Sequence, residues 1–254
     1  VVIDNSSAFR MDPEVPLVVP EVNPQAILKH KGIIANPNCS TIIMVMALKP
    51  IYDLAKIKRV IVSTYQAVSG AGKEGIDELD AQVREHSEGR EMTANILPSA
   101  SAEKHYPIAF NLIPQIDVFC DNLYTKEEMK MVNETKKIME DYEMRITATT
   151  IRVPVYRSHS ESVNIELEKE VDLGAMREAL AKFPGVTVQD DPSKQEYPMP
   201  LYTSEKDDVY VGRLRRDESC EKSYNMWVVG DQIRKGAALN TLQIAETMIK
   251  NGWI

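Results

Sequence analysis

Gly32-Ile33-Ile34-Ala35-Asn36-Pro37-Asn38-Cys39-Ser40-Thr41-Ile42-Ile43-Met44-Val45-Met46-Ala47-Leu48 joins a short apolar run to a longer one through six punctuating residues. The pattern reads as strand, tight turn, helix. Pro37 pushes Asn36 out of helical conformation, and Asn with Pro marks the turn. Cys39 then falls at or near the first helical turn, with Ser40 or Thr41 available for capping. A thiol there meets unpaired backbone N–H groups and the positive end of the helix dipole, which favour the thiolate. Taken alone, the same cysteine reads as a small core hydrophobe, the usual fate of a free thiol. Both readings stay open at this point.

Working outward, Val1-Val2-Ile3-Asp4 reads as a strand and Asn5-Ser6-Ser7 as its C-terminal loop, where open α/β sheets meet ligands. The glycine-rich dinucleotide fingerprint expected after the first strand of such a unit is absent from all 254 residues. The chain begins without methionine or a signal-peptide pattern, so it reads as part of a larger protein. A 43 % hydrophobic, 27 % charged composition is that of a soluble globular protein of one large or two modest domains. No apolar run approaches a membrane span of about 18 residues. The net charge of -8 argues against a general nucleic-acid binder and leaves room for a local basic pocket. Cys39, Cys120 and Cys220 have no metal-site spacing, and so sparse a set suits a reducing, cytoplasmic compartment.

Residues 24–31 read as a short helix, and Pro50 is expected to disturb the end of the helix after Cys39. Residues 59–68 carry the strongest strand signal, followed by the small-residue loop Ser69-Gly70-Ala71-Gly72 and a helix over 73–86 with Ile76, Leu79 and Val83 on one stripe. Residues 116–119 suggest a short strand. Thr125 with Glu128 forms a capping-box pattern that opens a helix to about residue 141. Strands are expected over 145–155, 161–168, 209–214 and 226–229, with a helix over 173–182. The final helix spans about 236–250, with Ala238, Leu239, Leu242, Ala245 and Ile249 along one face.

Candidate chemistry clusters at element ends: Cys39, Gln66, the loop 69–72, Arg152 and His159. A nucleophilic cysteine needs a nearby proton-handling group, and His159, in a polar link between strands, is the most credible of the four histidines. Arg152 in an apolar strand needs an ionic or polar partner. Arg10 alone reads as an ordinary surface charge. Glu127 and Lys130, three apart on one helix, read as a solvated pair.

The segments VVIDNSSAFR, IIANPNCST, VSTYQAVSGAG, LPSASAEKHYPIAFNLIPQID, YTKEEMKMVNETKKI, IRVPVYRSHSES, YVGRLRRD and MWVVGDQIRKGAALNTLQIAE run through the chain in order. They resemble the aspartate-semialdehyde dehydrogenase family, more narrowly its Gram-positive bacterial form. The resemblance implies an α/β fold: the C-terminal part of a Rossmann-type NADP-binding domain (residues 1–38), an α+β mixed-sheet catalytic and dimerisation domain (39–232), and a last helix packing back on the first part (233–254).

By the same resemblance Cys39 is the nucleophile, His159 the acid–base group and Gln66 the residue orienting substrate and intermediate. Arg152 and Glu127 match the partners of the substrate's α-carboxylate and α-amino groups. Arg10, Lys130 and Asn38 match phosphate-binding residues, and Ser69, Gly70, Gly72 and Asn240 lie at the cofactor. The implied reaction is NADP-dependent reductive dephosphorylation of L-4-aspartyl phosphate to L-aspartate 4-semialdehyde, reversible with inorganic phosphate, by a homodimer that uses no metal and binds neither nucleic acid nor membrane. It stands at the branch toward lysine, methionine and threonine. A related acyl-phosphate reductase, such as N-acetylglutamyl-phosphate reductase, would share the cysteine–histidine pair. A non-catalytic dimerising relative would keep only the fold.

Overall fold

The computed structural model describes residues 1–254, and its first strands form a small parallel ladder. β1 (Val2–Asp4) pairs with β2 (Ile33–Ala35), Val2 facing Ile33 and Asp4 facing Ala35. Between them a 3-10 helix, Pro24–Lys29, buries Ala26 and Ile27. The turn after β2 leads into α1 (Cys39–Leu54), which buries residues on every side from Ile42 to Leu48. Pro50, expected to disturb the end of α1, lies inside it, and the helix continues to Leu54. Proline inside a helix costs about 3 kcal/mol. Burial of Pro50 and Ile51 in the core offsets that loss.

The main sheet has six strands in the order β4-β3-β5-β8-β7-β6. They are β3 (Ile57–Gln66), β4 (Arg145–Arg152), β5 (His159–Leu167), β6 (Val186–Val188), β7 (Val209–Arg216) and β8 (Ser223–Gly230). β3 runs parallel to β4 and antiparallel to β5, so the sheet is mixed. Val60 and Val62 on β3, Val163 and Ile165 on β5 and Val228 on β8 alternate inward onto α1, in one core with Met131 of α3 (Lys126–Ile138) and Leu180 of α4 (Leu173–Lys182). β6 escapes sequence reading because its three residues carry no periodicity.

α2 (Lys73–Ser87) buries Leu79, but Val83 is exposed. Polar side chains complete its inner face. Glu78 accepts the Asn95 and Ile96 N–H groups, and Gln82 accepts those of Ile108 and Ala109, so the irregular segment there is pinned by helix side chains. Residues 116–119 are not a strand: Asp117 has φ +69°, and one bridge, Phe119 to Thr125, is all that forms.

A short helix, α5 (Pro200–Thr203), precedes β7. After β8 a π-helical turn, Arg234–Ala238, runs into α6 (Leu239–Lys250). The expected apolar stripe of this helix is its solvent face: Leu242 is 61 % and Ile249 66 % exposed. Asn240, Ile244 and Met248 face inward, the latter two against Val18, Ile27 and Ile34 beside the small ladder. The inner face is set by Asn240, Ile244 and Met248 at i, i+4 and i+8, and Asn240 is held there by bonds to Val18 and Asn36. No helix is long and apolar enough to cross a membrane.

Candidate active site

Cys39 is the first residue of α1, and its cap is Asn38 rather than Ser40 or Thr41. The Asn38 side-chain oxygen accepts the Thr41 N–H at 3.1 Å, while its Nδ2 donates to both Glu127 oxygens at 2.9 and 3.1 Å. Cys39 is thereby fixed at the mouth of a cleft of about 590 Å³ whose wall includes Arg10, Asn38, Gln66, Ser69, Gly70, Glu127, Lys130 and Arg152.

Register brings the next pair together. Gln66 and Arg152 are Cα partners at the C-terminal ends of parallel strands β3 and β4, so both side chains leave the sheet at one edge. Gln66 donates to Thr64 Oγ1 at 3.2 Å and Glu127 Oε1 at 3.3 Å. Arg152 donates Nη1 to the Ala67 carbonyl at 2.7 Å, and its buried Nε has no partner. His159 opens β5 and is fully buried; its Nδ1 accepts the Ala67 N–H at 3.1 Å. That bond places the ring proton on Nε2. Nε2 has no partner within the protein, and it stands 3.4 Å from where a Gly70 side chain would begin. A Cβ on Gly70 would also approach Arg152 Nη1 to 2.7 Å, so Gly70, itself in the cleft wall, has no room for a side chain against Arg152 and the buried His159 ring.

The capping box assigns the two acidic residues of α3 different work. Glu128 closes the box with Thr125 and accepts the Thr150 N–H, which leaves Glu127 to face the cleft. Lys130 pairs with Asp117 at 3.0 Å and with Glu127 at 3.3 Å. Arg10 reaches in from the loop after β1, donating Nε to the Asn36 carbonyl at 2.9 Å and pairing with Glu134 at 3.3 Å.

Three candidates are not brought to the cleft wall. His159 is fully buried beside Gly70 and forms no part of the lining. Gly72, at φ +84°, starts α2 beyond it. Asn240 is fully buried, with Nδ2 donating to the Val18 carbonyl and Asn36 Oδ1 and Oδ1 accepting from Lys235. Asn240 therefore braces Asn36, three residues before the cysteine.

The thiolate expected from the helix dipole is not the resting state. Burial, and then the nearby Glu127 carboxylate, push the Cys39 thiol up to about 12 against the smaller opposing effects of Ser40 and Arg152. Burial, followed by Arg152, holds His159 well below the usual imidazole range, so the ring is neutral. Thiol and imidazole are thus both neutral before ligand binds.

Sequence reasoning missed Glu134, Gln232 and Gly236. Glu134 follows Glu127 by seven residues and Lys130 by four, a spacing that puts all three on one helical face. Gln232 accepts the Ser158 N–H at 3.0 Å and donates to Ser69 Oγ, tying β5's entry to the loop after β3. Gly236 lets the π turn approach: a Cβ there would lie 2.9 Å from Cys39 Cβ.

Comparison with known proteins places the chain among relatives. A family model described as semialdehyde dehydrogenase, dimerisation domain, matches residues 48–235, and one described as semialdehyde dehydrogenase, NAD binding domain, matches residues 1–30. The chain is 57 % identical to the aspartate-semialdehyde dehydrogenase of Aquifex aeolicus, over 100 % of this chain and 74 % of that protein. It is 53 % identical to that of Bacillus subtilis, over 98 % and 72 %. Among solved structures, aspartate semialdehyde dehydrogenase II from Vibrio cholerae complexed with ASA superposes with a TM-score of 0.92 at 47 % identity, covering 98 % of this chain and 72 % of that one. The chain thus belongs to the aspartate-semialdehyde dehydrogenase family, a family of oxidoreductases.

Proposed function

We propose that this protein interconverts L-4-aspartyl phosphate and L-aspartate 4-semialdehyde through a thioester on Cys39, with NADP as hydride carrier. The observation that carries the reading is the convergence of Cys39, Gln66, Glu127 and Arg152 on one cleft, with the buried His159 ring packed behind Gly70 of its wall. The ASA complex of the Vibrio cholerae relative supports the substrate.

The residues divide the substrate between them. A small amino acid bearing a reactive carbonyl needs an anion and a cation at its head, and Glu127 and Arg152 present the two charges side by side. Pairing of Glu127 with the substrate's ammonium offsets the carboxylate that now opposes thiol ionisation, so binding itself helps ready Cys39. Cys39 then attacks the carbonyl carbon, and Gln66 orients the adduct. As the S–C bond forms and the carbonyl π bond breaks, His159 gives its Nε2 proton to the carbonyl oxygen and takes the thiol proton in its place; it then removes the hydroxyl proton as the hydride leaves. Arg10 and Lys130 hold phosphate against the acyl carbon with charge-assisted bonds.

The residues fit the nicotinamide end of the cofactor. Ser69, Gly70 and the backbone of 236–238 line the cleft beside Cys39, and glycine at 70 and 236 leaves free the space a side chain would fill. When bound, NADP accepts or supplies the hydride. We assign residues 1–38 to the remainder of its domain, 39–232 to catalysis and dimerisation, and 233–254 to the helix that returns. A homodimer through the middle part, in the cytoplasm, in lysine, methionine and threonine biosynthesis completes the reading. The family description of residues 48–235 supports the dimer.

The test is phosphate-dependent reduction of NADP+ by L-aspartate 4-semialdehyde in the full-length protein. Lys130→Ala is expected to raise the KM for phosphate about tenfold or more, with the KM for the semialdehyde much less changed. No turnover by the wild type refutes the function; an unaltered phosphate dependence removes Lys130 from the site.

A further inference from the structure

α3 carries Glu134 on the face it shares with Glu127, at 1 % exposure. One carboxylate oxygen accepts the Asn38 backbone N–H at 2.6 Å, and the other lies 3.3 Å from Arg10 Nη1. Arg10 Nε and Nη2 donate to the Asn36 and Asn5 carbonyls, which leaves one N–H on each terminal nitrogen. The cation assigned to phosphate is thus already neutralised, by a carboxylate that also grips the residue before Cys39. An oxyanion arriving at Arg10 meets this carboxylate as a competitor of the same sign.

We propose that Glu134 gates the oxyanion subsite as a positioning residue: it is the internal counterion of Arg10 that an incoming phosphate displaces. The proposal rests on the reading of Arg10 as an anion ligand. A purely structural ion pair would hold Arg10 as well, but it would not couple anion affinity to the charge on Glu134.

That coupling has a sign. The groups facing Glu134 are Arg10 from the loop after β1, the Asn38 N–H from the turn, and Glu127 and Lys137 along its own helix. Burial raises the Glu134 carboxyl to about 7, with Arg10 and the Asn38 N–H opposing. Below that value Glu134 takes a proton and releases Arg10 to the anion; above it the carboxylate competes. Anion affinity therefore strengthens as pH falls through about 7.

Inorganic sulfate keeps its charge across this range and serves as the probe, by titration calorimetry on the full-length protein. Wild-type affinity is expected to fall about tenfold from one pH unit below the midpoint to one unit above it. In Glu134→Gln the amide oxygen still accepts the Asn38 N–H. There the affinity should be flat with pH and, on the alkaline side, about tenfold tighter than wild type. A flat wild-type profile overturns the proposal without any variant having to fold. So does a Glu134→Gln protein that binds sulfate no more tightly than wild type while keeping the slope. Arg10→Ala separates the underlying reading: if it leaves sulfate binding intact, Arg10 is not the anion ligand and both readings fall. If it abolishes binding while Glu134→Gln changes nothing, the gate alone fails.

Discussion

Cys39→Ala in the full-length protein is expected to abolish phosphate-dependent reduction of NADP+ by L-aspartate 4-semialdehyde, lowering kcat by at least about 10⁴-fold. Nothing else near the carbonyl position can take over the covalent step. Cys120 and Cys220 lie outside the cleft, and neither forms part of its wall. Ser40 is fully buried behind the cysteine. The loss is chemical and not structural, because Cys39 needs only its backbone to serve as the first residue of α1 and Asn38 supplies the cap. Thermal unfolding of Cys39→Ala should stay close to wild type, within about 1 kcal/mol. Turnover within a factor of ten of wild type would remove Cys39 from the chemistry.

His159→Asn is expected to lower kcat by about 10² to 10⁴-fold. Asparagine is the informative replacement because its side-chain oxygen occupies the place of Nδ1 and still accepts the Ala67 N–H. The Nε2–H end of the ring is deleted. A second readout follows from the electrostatics. Burial and Arg152 keep the folded ring neutral, whereas the unfolded chain takes up a proton near the ordinary value of 6.5. The contribution of His159 to stability is therefore present above that value and lost as pH falls below it. His159→Asn should remove that part of the acid slope of unfolding. A variant that keeps both its activity and the wild-type acid slope contradicts the assignment.

Much of the architecture is legible in the chain because burial and periodicity agree there. The β-branched run after residue 57 can only be a strand, and the Thr125–Glu128 box marks where α3 begins. Legibility fails where tertiary contacts overrule a local rule. Pro50 stays helical because the core surrounds it. Leu242 and Ile249 face solvent because Asn240, Ile244 and Met248 occupy the inner face of α6, Asn240 through bonds to residues far away in sequence.

The site shows the same division. The turn at Asn36 to Asn38 announces a helix start, yet it cannot announce that Glu127 will come within hydrogen-bonding reach of Asn38, since 89 residues separate them. For that reason the helix dipole alone predicted a thiolate, and the buried carboxylate reverses the prediction. Glu134 was hidden similarly: its value lies in contacts with Arg10 and Asn38, both remote in sequence. Asn240 shows what sequence leaves out in another way: its amide is engaged by Val18, Asn36 and Lys235, contacts remote in sequence or across the π turn.

The central claim is that Cys39 carries the acyl group between hydride transfer and phosphate attack. The direct measurement is peptide mass spectrometry on full-length protein quenched after mixing with L-aspartate 4-semialdehyde and NADP+ in the absence of phosphate. The expected result is an aspartyl thioester on the peptide containing Cys39, formed with a single burst of NADPH and discharged when phosphate is added. A burst with no adduct on Cys39, or an adduct on Cys120 or Cys220 that phosphate discharges, would contradict it.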